Sequence, residues 1–209
     1  LIIENQSGIY GLGLSAESYN GRVRYLRISD IDDFGNLLES DKKSVTTQDE
    51  QEYLLKQDDL VVARTGNSTG RTYVYDESDG PMVYAGFLIK FVFDKEKINP
   101  RYLKYFTTTD IYTEQTAKYL GSTRGNMSAQ DFKNIKIAFQ SRYTQDKLVE
   151  LFDLFNNKVK INNKINFELE SMAKTLYNYW FLQFDFPNEN GKPYKSSGGK
   201  MVWNEELKR

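Results

Sequence analysis

The densest group of chemistry-bearing side chains is Arg64-Thr65-Gly66-Asn67-Ser68-Thr69-Gly70-Arg71, two arginines bracketing glycines, hydroxyls and an amide. Its glycine spacing approaches a phosphate-cradling P-loop. It falls one residue short, however, and Arg71 stands where that loop needs Lys. Two other readings stay open: a tight β-turn, and a loop that brings Arg64 and Arg71 to nucleic-acid phosphates. A second polar run, Gly121-Ser122-Thr123-Arg124-Gly125-Asn126-Met127, has the same character. Arg pairs bidentately with guanine and Asn with adenine, so Arg64, Asn67, Arg71, Arg124 and Asn126 are candidates to read base edges. Ser68, Thr69, Ser122 and Thr123 stand beside them as hydroxyl donors. Arg22, Arg24 and Lys118 complete the candidate DNA-binding set. Arg24 is expected on the exposed face of a strand, and Lys118 lies in a basic stretch interleaved with Tyr102, Tyr105, Tyr112 and Tyr119.

Other constellations are weaker. Gly11-Leu12-Gly13-Leu14-Ser15-Ala16 has dinucleotide-site spacing, but the polar Glu4-Asn5-Gln6-Ser7-Gly8 precedes it where an apolar strand is required. Asp131-Phe132-Lys133 and Asp41-Lys42-Lys43 have the D-x-K spacing of metal-dependent nucleases, without a Pro-Asp partner. No two prolines are adjacent, so the Asn/Asp-Pro-Pro-aromatic signature of amino-methyltransferases is absent. Cys and His are both missing, which removes zinc fingers, disulfides and His-dependent nucleophiles. An independent enzyme is therefore not expected, and no metal or cofactor site is assigned, although catalysis by carboxylates, Lys or Tyr stays open as does binding without catalysis.

The 209 residues suit one domain plus an appendage, and the formal net charge of −1 argues against an indiscriminate polycation. Charge is nevertheless polarised: residues 1–50 hold 5 basic and 9 acidic side chains, residues 83–142 hold 10 and 5. No stretch approaches the roughly 20 apolar residues of a membrane span, and no secretory pattern opens the chain, so a cytoplasmic location is expected. The first residue is Leu, from which the chain is expected to be processed or cut from something larger.

These groups must be held by a mainly-β framework. Residues 1–22 read as loop with some short strand. Strands are expected at 23–28, 60–63, 72–75, 83–85, 87–93 and 135–139. Asn99-Pro100 starts a helix that the spacing carries to about residue 119, and Ser128-Ala129-Gln130-Asp131 resembles a capping box. From residue 144 to 180 there is neither Pro nor Gly. Leu148, Phe152, Phe155, Val159, Asn162, Asn166, Leu169, Ala173, Leu176 and Trp180 follow alternating steps of four and three, the a/d seam of a coiled coil. Such a helix would be roughly 55 Å long and needs another long helix to cover it. The tail from Phe184 to Gly199 reads as linker.

In order along the chain, several pieces resemble the DNA-specificity (S) subunit of type I restriction–modification systems. They are Tyr25-Leu26-Arg27-Ile28-Ser29-Asp30-Ile31, the run from Leu55 to Gly66 with Gly70-Arg71, Tyr84-Ala85-Gly86-Phe87-Leu88, the run from Gly121 to Ser128, the long helix, and Trp180-Phe181-Leu182-Gln183-Phe184-Asp185-Phe186-Pro187. The resemblance implies an α+β chain. A mainly-β target-recognition domain with short helices (1–142) would be followed by a conserved coiled-coil spacer helix (143–182) and a tail leading to a following domain (183–209). The usual subunit has two of each, so this chain would be a half-length subunit that self-associates, or a fragment of a full one. The implied partners are double-stranded DNA, a second specificity half, modification subunits that methylate adenine, and restriction subunits. The S subunit itself does no chemistry. A coiled-coil adaptor whose head binds protein is the alternative, and an autonomous methyltransferase or nuclease comes third.

Overall fold

The run Leu60-Val61-Val62-Ala63 is apolar throughout because both faces of its strand are covered. In the computed structural model, which describes residues 1–120, 126–200, 203, 205, 206 and 208, the chain forms two compact units, Leu1–Phe152 and Asp153–Arg209. The first unit begins with β1 (Ile9–Tyr10), β2 (Glu17–Ser18), β3 (Arg24–Leu26), β4 (Lys43–Ser44) and α1 (Glu50–Tyr53). β5 (Leu60–Ala63), β6 (Thr72–Val74), β7 (Met82–Tyr84) and β8 (Leu88–Phe91) follow, then α2 (Pro100–Phe106), α3 (Asp110–Thr116) and α4 (Ala129–Lys133). Helix α5 (Arg142–Tyr177) starts in this unit and continues into the second, to which it supplies residues 153–177.

The main sheet has the order β1-β8-β5-β6, every neighbour antiparallel, and β3 pairs with β7 in parallel beside it. On one face Leu60, Val62, Ile89 and Phe91 pack with Leu103, Phe106, Tyr112 and Phe132 of the helices. On the other, Val61, Ala63, Tyr73 and Leu88 meet Leu26, Ile31, Met82 and Tyr84. Full burial of each such side chain is worth about 1.5–3 kcal/mol relative to exposure. The fold is α+β, as the sequence predicts.

Four local expectations are corrected. The single helix after Asn99 breaks into α2 and α3, because Thr107, Thr108 and Thr109 turn their hydroxyls onto the carbonyls of Leu103, Tyr105 and Phe106. Residues 135–139 form no strand. Their backbone is held by side chains instead: Lys136 N donates to Gln115 Oε1, and Ala138 O accepts from the Tyr102 hydroxyl. The strand containing Arg24 is buried rather than half-exposed. The tail is folded: Asp185 is buried and accepts from the Ser196 amide and hydroxyl, Phe186 stacks on Tyr194 at 4.9 Å, and Pro187 bridges to Pro193.

The expected caps are present. Asn99 accepts from Arg101 N with Pro100 at the first helical position, and Ser128 and Asp131 cap each other's backbone ahead of α4. Helix α5 has 36 residues and ends in a π-helical turn, Asn178–Leu182. Its start is anchored by Gln145, fully buried, whose Oε1 accepts from Asn99 N and whose Nε2 donates to Gln140 O.

Candidate nucleic-acid interface

One end of the main sheet gathers the loops. In register, Tyr10 faces Ile89, and Ile89 faces Val62. One step further along, Arg64 N donates to Phe87 O at 3.0 Å, so β1, the turn before β8 and the end of β5 come together although they lie far apart in sequence. The strand returns after residue 71, where Ala63 N donates to Arg71 O and Gly70 N to Ala63 O. Within this loop Thr69 N and hydroxyl donate to Gly66 O, and Arg71 N donates to Ser68 O. The Thr69, Gly70 and Arg71 amides are thus already bonded within the protein and are not free to cradle a phosphate. Gly70 has φ +89°, and a Cβ there would lie 3.3 Å from Thr116. The Tyr112 hydroxyl donates to Gly70 O at 2.7 Å, and burial pushes its pKa up, keeping it a donor.

The second loop joins the first. Thr65 bridges to Asn126, and Met127 N donates to Arg64 O at 2.7 Å. Asn67 and Asn126 are exposed, Ser68 is half-buried and Thr69 is buried. Arg64 lies half-buried with its guanidinium over the Tyr10 ring, 4.9 Å from the centroid. Its Nε is buried and has no hydrogen-bond partner among the described residues.

The other cations are placed differently. Arg71 is ion-paired to Asp33 at 2.7 Å and donates to Ile31 O. Arg24 is buried, paired to Glu39 at 2.9 Å and bonded to Leu38 O. It pairs in register with Met82, at the opposite end of β7 from the turn carrying Phe87, and the exposed Arg22 precedes it there. Lys118 is exposed, 4.9 Å from the Tyr119 ring centroid. Ser122, Thr123 and Arg124 lie outside the described residues. Tyr10 and the 59% exposed Phe87 were not in the sequence-based set. No local pattern marks them, since their place depends on pairing between β1, β5 and β8.

The weaker motifs are absorbed by structure. A Cβ on Gly11 would lie 2.2 Å from Tyr84 O, so this glycine serves a backbone crossing. Asp131 caps α4, its carboxyl held below the usual range chiefly by the Ser128 hydroxyl, while Lys133 pairs with Glu4 and Lys43 with Asp41. Among the described residues no three acidic groups are placed to hold a metal ion.

The seam of α5 divides. Leu148 packs against the first unit's core and the Phe152 ring lies 4.8 Å from Tyr105. Phe155, Val159, Asn162, Asn166, Leu169, Ala173, Leu176 and Trp180 are exposed. A neighbouring stripe of Leu154, Ile161, Ile165 and Met172 is exposed as well. No described helix is long and apolar enough to cross a membrane.

The chain thus combines a mixed-sheet head whose loops gather at one sheet end with a long helix carrying exposed apolar residues. The chain belongs to the type I restriction modification DNA specificity domain family, which matches residues 14–171. It is 26% identical over 117 residues to the specificity subunit of the type I restriction enzyme MjaIX of Methanocaldococcus jannaschii, covering 56% of this chain and 25% of that protein. It is 25% identical over 77 residues to the HindI specificity subunit of Haemophilus influenzae, covering 37% of this chain and 17% of that protein. In fold it is similar to the HsdS subunit of Thermoanaerobacter tengcongensis, with a TM-score of 0.52 at 16% identity over 88% of this chain and 49% of that one. A chain from a study of complex assembly in a type I R-M system gives a TM-score of 0.51 at 14% identity, covering 94% and 50%. The chain therefore spans about half the length of these solved relatives, and its matched part a quarter or less of the curated ones.

Proposed function

We propose that this chain is the non-catalytic DNA-recognition component of a type I restriction–modification assembly in the cytoplasm. Residues 1–142 read one half of a bipartite target, and residues 143–182 act as spacer against a second specificity half. The observation that carries this reading is Arg64, a half-buried guanidinium at the loop end of the sheet with an unpartnered Nε and exposed Asn67 and Asn126 beside it. Arg64, Asn67, Ser68 and Asn126 form the reading group, with Lys118, Arg22 and residues 122–124 as further contacts. Arg24 and Arg71, already committed to Glu39 and Asp33, shape the head instead.

The exposed seam supports the spacer role, because so wide an apolar face is covered only by other helices. One stripe suits the second specificity half, and the neighbouring stripe leaves room for the modification subunits. Adenine methylation, DNA cleavage and the cofactors they require belong to the modification and restriction subunits. Co-expression with the modification subunit, followed by mapping of methylated adenines, tests the reading. A methylated bipartite sequence that changes with Arg64→Ala supports it. Duplex affinity that does not fall as salt rises, against the expected slope of about 0.9 per phosphate contact, refutes it.

A further inference from the structure

We propose that Tyr10 and Arg64 form one guanine-reading unit, in which Tyr10 is the positioning residue for the Arg64 guanidinium. The inference rests on the DNA-reading role proposed above and names the base that this site takes. Arg64 is fixed at its backbone from both sides, its N–H donating to Phe87 O and its carbonyl accepting from Met127 N. Tyr10 is fixed too, by its register with Ile89 in the sheet and by the Ala129 amide, which donates to its hydroxyl oxygen at 3.3 Å. The guanidinium thus lies over a ring carried by a paired strand, 4.9 Å from its centroid.

Its electrostatic situation differs from that of five other arginines. Arg24, Arg27, Arg71, Arg101 and Arg142 each have a carboxylate partner. Arg64 has none among the described residues, yet its Nε is withdrawn from water. A partly desolvated cation without a counter-charge is unfavourable in the free protein, and an acceptor pair meeting its terminal N–H groups relieves it. The guanidinium carbon lies over the Tyr10 ring, and the group carries its N–H donors in a planar fork. That planar fork matches the O6 and N7 acceptors of guanine. A phosphate would suit the fork as well, but the neighbouring exposed Phe87 offers it nothing and packs readily against a base edge.

The test uses the full chain assembled with its modification subunit and a randomised duplex library. Wild type should select a sequence with an obligatory guanine, and Arg64→Ala should lose that preference by about 10-fold or more. Tyr10→Leu should weaken the same position several-fold, while Tyr10→Phe, which keeps the ring, should retain it. Replacing that guanine by 7-deazaguanine, which lacks the N7 acceptor, should weaken wild type about 10-fold and Arg64→Ala hardly at all. If Arg64→Ala leaves every selected position unchanged, the guanine reading falls. If Arg64→Ala relaxes one position and Tyr10→Leu, with an unchanged melting temperature, leaves it intact, the positioning role alone falls. Should Tyr10→Leu unfold the chain, loss of the guanine preference in Tyr10→Phe would overturn the proposal, because its ring remains.

Discussion

At the scale of single residues, burial and pairing separate side chains of the same type. Arg24 and Arg64 both adjoin apolar strand residues, yet Arg24, itself buried, pairs with the exposed Glu39, while Arg64 has no carboxylate partner among the described residues. Behind the sheet, Lys90 Nζ lies 3.8 Å from Asp59 Oδ2, both residues are buried, and burial raises the Asp59 pKa. The Tyr84 hydroxyl next to them is buried without a hydrogen-bond partner among the described residues. Lys90→Met should therefore cost about 3–5 kcal/mol, because it strands a buried carboxylate. Tyr84→Phe should be neutral or stabilising by up to about 1 kcal/mol, because it deletes an unsatisfied group and keeps the ring. Urea denaturation of the two variants checks both signs.

At the scale of elements, α4 is short and depends on its cap. The Ser128 hydroxyl accepts from Asp131 N and donates to the Asp131 carboxylate. Ser128→Ala should cost about 1 kcal/mol at neutral pH. Asp131's folded pKa is lowered, so the contribution of its carboxylate is present above the unfolded pKa and lost as pH falls through the folded one. Thermal melts at pH 7 and pH 3 should accordingly show a larger gap between wild type and variant at pH 7. In α5, Asn162 and Asn166 interrupt the exposed seam. Buried across a helix pair, such amides fix register at a cost in stability. In an antiparallel pair they would meet at the midpoint. Asn162→Leu with Asn166→Leu should raise the melting temperature of the associated form while permitting other oligomers, as sedimentation would report. If association stays unaltered, the asparagines face solvent, and the seam runs through Ile161 and Ile165.

At the scale of the molecule, the proposed half-site reader gains affinity only when two heads engage one duplex. Replacing Phe155 and Leu169 by Asp should abolish association through α5 while leaving the first unit folded, since both side chains are exposed beyond it. Linked heads are expected to bind a complete site about 100-fold or more tightly than separate ones. The double variant should therefore lose that factor on duplexes carrying both half-sites and lose nothing on a single half-site. Fluorescence anisotropy with the two duplexes measures the difference, and an equal loss on both would mean that the helix contributes to the head itself.

The sequence by itself determined the α+β class, the β5–β6 return, the caps of α2 and α4, and the long helix with its apolar seam. Each of these is written in near neighbours: alternation in strands, Asn-Pro and Ser-x-x-Asp at helix starts, steps of three and four along a helix. The helix break at Thr107, Thr108 and Thr109 was harder to see, because side-chain competition for backbone carbonyls leaves the apolar spacing intact. Only the tertiary structure decided which arginines are free, that Leu148 and Phe152 belong to the head's packing, and that Tyr10 lies beneath Arg64. Those outcomes depend on partners brought together by strand register across long loops, and a charge or ring carries no local mark of what will face it.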